Sequence, residues 1–344
     1  MPPQPETLPS DSLVYAATRE GYDVAVIDVT QPRFAVSDDP RAARALHEAF
    51  LGAERRRRRI PKFIMRLMLK SASKKSRLMR ALFQSDAGFL DGLSTYVMKL
   101  GTDNLRPPYD SPMDRRMAAS PHLILLRLRM QQTARLVADG LVEDLAKARG
   151  ALHLINIGGG PAIDSINAVI LLKRGHPELL QRPIVIHVLD PDKDGPFFGA
   201  NALAALKAPG RPLEGLDIAF DHRAYDWNKP AVLESLVREL TAASAVVAAS
   251  SEGALFEYGS DEAIIANLTA LRAGGTGARL VAGSVTRADE SRRRMIALTR
   301  FNLVPRGLDG FAPLAERAGF TIARVEEAYL SDQVLLRPTW RGGR

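Results

Sequence analysis

The chain has 344 residues, enough to bury a sizeable core, and its 46% hydrophobic and 25% charged residues place it among globular proteins, not disordered or fibrous ones. It contains no cysteine, which excludes disulfides, thiolate zinc sites, cysteine nucleophiles and cysteine-ligated iron–sulfur clusters. The net charge is +8, yet residues 55–80 hold twelve lysines and arginines and no acid, so the rest of the chain carries −4.

The opening MPPQPETLPSDS has neither a basic nor an apolar signal region, and no apolar run reaches the length of a bilayer span, so a cytoplasmic location is expected. YDVAVIDV (22–29) predicts a strand, and the run from Pro40 predicts a helix with Asp39 as its cap. The basic segment 55–80 keeps Ile60, Phe63, Ile64, Leu67 and Met68, then Leu78, Met79, Leu82 and Phe83, at helical spacing. It admits three readings: a solvated charged face, which leads; an amphipathic helix on an anionic membrane; and a nucleic-acid contact, which is not favoured because aromatic residues are sparse. Residues 105–112 break the pattern, and 122–151 predict one or two further helices. Residues 1–130 therefore read as a mainly helical region covering the substrate side, and 131–344 as a second, α/β unit.

From residue 152 apolar runs alternate with helical stretches. Strands are predicted at 152–157, 184–190, 216–223, 244–250 and 278–285, with helices between them, then a helix near 308–320 and two closing strands. This rhythm implies a mostly parallel sheet with helices on both faces, whose ligand site lies at the carboxyl ends of the strands. Gly158, Gly159 and Gly160 follow the first of these strands, where glycine permits positive φ and lets a ligand approach the backbone. A dinucleotide is disfavoured, because Ile163 takes the third place of a GxGxxG pattern and Asp164 puts an acid where a pyrophosphate would lie.

LINIGGGPA resembles the first motif of class I S-adenosylmethionine-dependent methyltransferases, with Asn156 in the acidic place, Gly158 and Gly160 as glycines, and Ala162 for the third. HVLDPD offers Asp190 as the acid ending the second strand, and AYDW offers Asp226 and Trp227 after the third. AASSEGALFEY supplies the fourth-strand loop, and the AGF turn at 318–320 resembles the family's closing strand pair. The resemblance implies a Rossmann-like, doubly wound, seven-stranded sheet with an antiparallel last strand. It also implies S-adenosyl-L-methionine as cofactor, held by Asn156, Gly158, Gly159, Gly160, Pro161, Asp190, Pro191, Asp226, Trp227, Ser250 and Ser251.

The expected reaction is in-line transfer of a methyl group to a small organic molecule, amphiphilic if the basic segment meets a membrane. His222, Glu252 and Tyr258 are the candidates for acid–base work beside the site. Trp227 reads equally as core, and His153 as an ordinary half-buried histidine. The six histidines lack metal-ligand spacing, so no metal is expected. An RNA or protein methyltransferase, or a relative that binds the cofactor without catalysis, are the alternatives.

Overall fold

A computed structural model describes residues 13–339 apart from 38, 58, 59, 62, 63, 65, 66, 68–70, 72, 85–89, 275, 276, 291, 294, 295 and 297–300. In chain order the first elements are β1 (Tyr15–Ala17), β2 (Asp23–Ala25), α1 (Pro40–Arg57), α2 (Arg77–Gln84), α3 (Gly92–Met98), α4 (Pro112–Ala118) and α5 (Pro121–Lys147). The sheet unit follows: β3 (Leu152–Ile157), α6 (Ile163–Gly175), β4 (Ile184–Leu189), α7 (Asp194–Leu206), β5 (Ile218–Arg223), α8 (Ala231–Ala242), β6 (Val246–Ser251) and α9 (Asp261–Ala270). It closes with β7 (Leu280–Thr286), α10 (Gly307–Arg317), β8 (Phe320–Glu326) and β9 (Ser331–Pro338).

The large sheet has the order β5-β4-β3-β6-β7-β9-β8. β3 to β7 run parallel, and β9 is antiparallel to both β7 and β8. The expected seven-stranded sheet with an antiparallel last strand is therefore present. Alternation along each strand sends Leu152, Leu154, Ile186, Val188 and Ala248 into one core layer, and Ile155, Ile157, Leu189, Val247 and Ala249 into the other. The chain reverses its winding between β3 and β6, so the switch point lies at the carboxyl end of β3, where Gly158 begins the loop.

The N-terminal region departs from expectation in two ways. Residues 22–29 yield only a three-residue strand, because beyond Ala25 the backbone turns to side-chain partners. Ile27 donates its amide to the Tyr96 hydroxyl (2.9 Å) and Val29 donates to Asn167 Oδ1 (2.8 Å). The division at 130/131 falls inside α5, a single helix, and Ile27, Phe34, Tyr96 and Met98 share one core cluster with Leu152, Leu154 and Val188. The described parts of the region before residue 130 thus share the core of the sheet unit through these residues. Asp39 does cap α1, its carboxylate accepting the Arg41 amide at 3.1 Å.

Candidate functional site

The loop after β3 is shaped by backbone that only small residues tolerate. Gly158 and Gly160 have φ of 68° and 56°, and Ala162, at the third glycine's place, is also left-handed at 53°. Asp190, at the carboxyl end of β4, holds this loop: Oδ2 accepts the Gly160 amide at 2.8 Å and Oδ1 accepts the Asp192 amide at 2.8 Å. Burial raises the Asp190 pKa above the ordinary carboxylate range, while these two amides oppose the shift. Asp192, not Asp190, serves the start of α7, accepting the amides of Lys193, Asp194 and Gly195. Pro191, between them, is exposed.

Beneath the loop lies a buried polar cluster. Asn156 is fully buried, and its Nδ2 donates to Asp164 Oδ1 (2.8 Å), Ser250 Oγ (3.1 Å) and Ser165 Oγ (3.2 Å). Its Oδ1 has no hydrogen-bond partner and sits directly under Gly159, where an added Cβ would come within 2.0 Å of it. Asp164 is buried in this cluster, and its pKa is raised by burial and by Glu252. The amide at 156 is therefore matched to a carboxyl at 164, so the acid missing from the strand end stands eight residues on, in the first turn of α6. Ser251 pins the loop to the strand, donating to the Ile157 carbonyl (3.0 Å) and accepting from the Leu255 amide (2.9 Å).

The rim residues differ in exposure. The Trp227 ring lies against Gly158, with Cζ3 3.1 Å from where a Cβ would stand. Asp226 is exposed and accepts the Asn228 backbone amide (3.0 Å) and Nδ2 (2.9 Å), which lower its pKa. His222 reaches the site, but its Nε2 donates to the Asp190 carbonyl at 2.9 Å, leaving Nδ1 as the nitrogen able to take a proton.

Glu252 is placed otherwise than its candidacy for acid–base work requires. It is buried and paired with both Lys99 and Arg129; Arg129 also donates to Glu257 at 3.0 Å. Burial alone would raise the Glu252 pKa, but Arg129 and Lys99 override it and hold the carboxyl below its ordinary range. A carboxylate held this way ties the end of α3 and α5 to the fourth-strand loop and is kept ionised by two buried cations. The Tyr258 hydroxyl is driven well above its ordinary pKa by burial and by Glu257, so it can act only as a neutral group near neutral pH.

Sequence reasoning did not reach Gly92, Lys99 or Arg129. The first turn of α3 is seated on the loop: a Cβ on Gly92 would meet Gly160 Cα at 2.7 Å, and one on Gly195 would meet it at 2.9 Å. Hollows of about 520 Å³ between α8 and α9 and about 250 Å³ between α5 and α6 lie on helix faces away from the loop. Among the described residues no group of three or more metal-ligating side chains is gathered.

The donor set fits an adenosyl cofactor in kind. Asp190 keeps spare lone pairs beside a left-handed glycine turn, Asn156 Oδ1 is an unpartnered acceptor under the loop, and Trp227 offers a flat ring at its edge.

No family model and no curated protein matches the chain. Among solved structures it is similar to magnesium protoporphyrin IX methyltransferase from Synechocystis PCC 6803 with bound SAH, at 16% identity over 63% of this chain and 87% of that one, TM-score 0.41. A Bordetella parapertussis protein described as a possible exported protein matches at 15% identity over 88% of this chain and 100% of that one, TM-score 0.49. Human N-acetylserotonin methyltransferase in complex with SAM matches at 14% identity over 63% of this chain and 56% of that one, TM-score 0.37.

Proposed function

We propose that this chain is an S-adenosyl-L-methionine-dependent methyltransferase acting on a small organic molecule. The observation that carries the reading is the buried Asp190 carboxylate at the switch point, clamping the amide of Gly160 in a left-handed turn. The cofactor, when bound, supplies an activated methyl group on a sulfonium, so no metal is needed. Asp190 would accept its ribose hydroxyls, with Pro191 and the loop Gly158-Gly159-Gly160-Pro161 along its length. Trp227 and Asp226 would border the base. Asn156, Ser250 and Ser251 hold the loop from below.

With Glu252 locked in ion pairs, the chain's contribution to rate is alignment and exclusion of water, the part α3 and α5 can supply. His222 Nδ1 is the group left to receive a proton from a hydroxyl or amine substrate. Because Gly92 and Gly195 cover Gly160, α3 must lift from the loop for a ligand to reach its far end. The locking of Glu252 in ion pairs also favours a second reading, in which the chain binds the cofactor as a regulator without transferring the methyl group.

Incubation with methyl-labelled cofactor and pooled lipid-soluble and water-soluble extracts separates the two. Labelled product lost in Asp190→Asn supports the enzyme. Cofactor binding with no labelled product from any pool supports the regulator.

A further inference from the structure

Two buried oxygen atoms beneath the glycine loop have no hydrogen-bond partner among the described residues. They are Asn156 Oδ1 and Asp164 Oδ2, on side chains of residues only 0% and 2% exposed. Both belong to one bonded pair, since Asn156 Nδ2 donates to the other oxygen of Asp164 at 2.8 Å. Buried acceptors without donors are costly, and two in one pair point to a donor that arrives from outside. Gly159 has no side chain to cover them. A Cβ there would lie 2.0 Å from Asn156 Oδ1 and 2.8 Å from its Nδ2.

The charges around this pair are matched without Asp164. Glu252, on the loop after β6, takes Lys99 from the end of α3 and Arg129 from α5, and Arg129 also reaches Glu257. Two carboxylates thus share two cations. Asp164 makes no ion pair among the described residues. Its contacts from β3, α6 and β6 are neutral: the Asn156 amide, the Ser165 backbone and the Ser250 hydroxyl. An ionised Asp164 would be a surplus buried negative charge, so without a ligand the neutral form is favoured. Burial and Glu252 push its pKa up, while Ser250, Lys99 and the Ser165 backbone oppose the rise.

The partner such a pair calls for carries hydrogens to donate and a positive charge to balance a carboxylate. A primary ammonium has both, whereas a sulfonium has the charge but no hydrogen to give. We infer that Asn156 and Asp164 together are the counter-charge for the ammonium of an adenosyl amino acid. Asn156 Oδ1 accepts from the ammonium, and Asp164, one hydrogen bond behind, is a positioning residue that gives up its proton as the ammonium arrives. The carboxyl O–H bond breaks with its electron pair left on oxygen, the proton passes to solvent, and no bond of the ligand changes. This inference rests on the methyltransferase reading and adds that cofactor binding is linked to pH. Affinity should rise with pH from the ordinary aspartate value of 3.8, by up to about tenfold per unit. It levels off where Asp164 ionises in the protein alone.

Calorimetric titration of the full chain in two buffers of different ionisation enthalpy counts the protons released on binding. S-adenosylmethionine and S-adenosylhomocysteine share the ammonium, so each should release about one proton on the rising part of the profile. Methylthioadenosine, which has no amino-acid portion, should bind without release. Asp164→Asn keeps an oxygen for the Asn156 amide, and circular dichroism should show it folded. It should abolish the release, flatten the pH profile and weaken both adenosyl amino acids about tenfold or more at the plateau. The comparison of ligands needs no variant, so it decides the matter even if Asp164→Asn fails to fold. Adenosyl binding with no proton release would overturn this inference and leave the methyltransferase reading standing. So would release that Asp164→Asn leaves unchanged, or equal release with methylthioadenosine. No adenosyl binding at all would sink both.

Discussion

Asn156 shows how a departure from a motif can be balanced nearby. Its side chain donates to Asp164 at 2.8 Å in a fully buried cluster, so an acid at 156 would confront an acid at 164. Asn156→Asp is expected to lower unfolding free energy by about 1–3 kcal/mol, the cost of replacing a buried donor with a second carboxyl. Urea unfolding checks this, and a variant as stable as the parent would mean the Asn156–Asp164 bond does not matter. The glycine loop and Asp190 were legible because strand, loop and acid follow one another at a strand end. Asp164 was misplaced, since sequence puts it in the first helical turn but cannot say that it turns inward. Glu252 was misread for a similar reason: its partners Lys99 and Arg129 are more than 100 residues away in the chain.

Each parallel strand was predicted to within two residues at either end, because alternating apolar residues and helical runs are local signals. The hairpin strand failed because its continuation bonds to Tyr96 and Asn167, which only the fold brings near. Between neighbouring strands, His153 Nδ1 meets His187 Nε2 at 2.9 Å, and His187 Nδ1 meets Asp221 Oδ2 at 3.0 Å. Arg223 donates to the same Asp221 oxygen, and Glu239 of α8 bears on His187. With Nδ1 of His187 donating to the carboxylate, its Nε2 accepts, so His153 donates through Nδ1.

Burial and the neighbouring His187 lower the His153 pKa to about 4, against an ordinary 6.5. A base with a depressed folded pKa contributes stability that is full above about pH 6.5 and is lost as pH falls towards 4. His153→Gln should flatten that part of the stability–pH profile in thermal melts; an unchanged slope would remove the histidine pair as its cause. Across helices, Arg129→Met leaves Glu252 and Glu257 short of their shared cation. It should cost about 3–5 kcal/mol, as broken buried pairs do, measured by urea unfolding. A loss below about 1 kcal/mol would show the cluster to be solvated instead.

The described residues form one packed body in which the region before the sheet contributes to the core and covers the loop at the carboxyl end of β3. Its fold class could be read from the strand–helix rhythm. The union of the two halves could not, because it depends on contacts such as Gly92 on Gly160 that leave no pattern in the sequence. A fragment beginning at 131 would start inside α5 and strip Ile27, Phe34 and Tyr96 from the core, so it is expected not to fold on its own, as circular dichroism would show. A folded fragment would mean that the covering region is separable. The central claim is that Asp190 and the glycine loop form an adenosyl site. Calorimetric titration of the full chain with S-adenosylmethionine and S-adenosylhomocysteine, beside Asp190→Ala and with NAD as a control, tests it most directly. Binding of both adenosyl ligands, lost in the variant while NAD stays unbound, is the predicted result. Binding of NAD alone, or of no ligand at all, would contradict it.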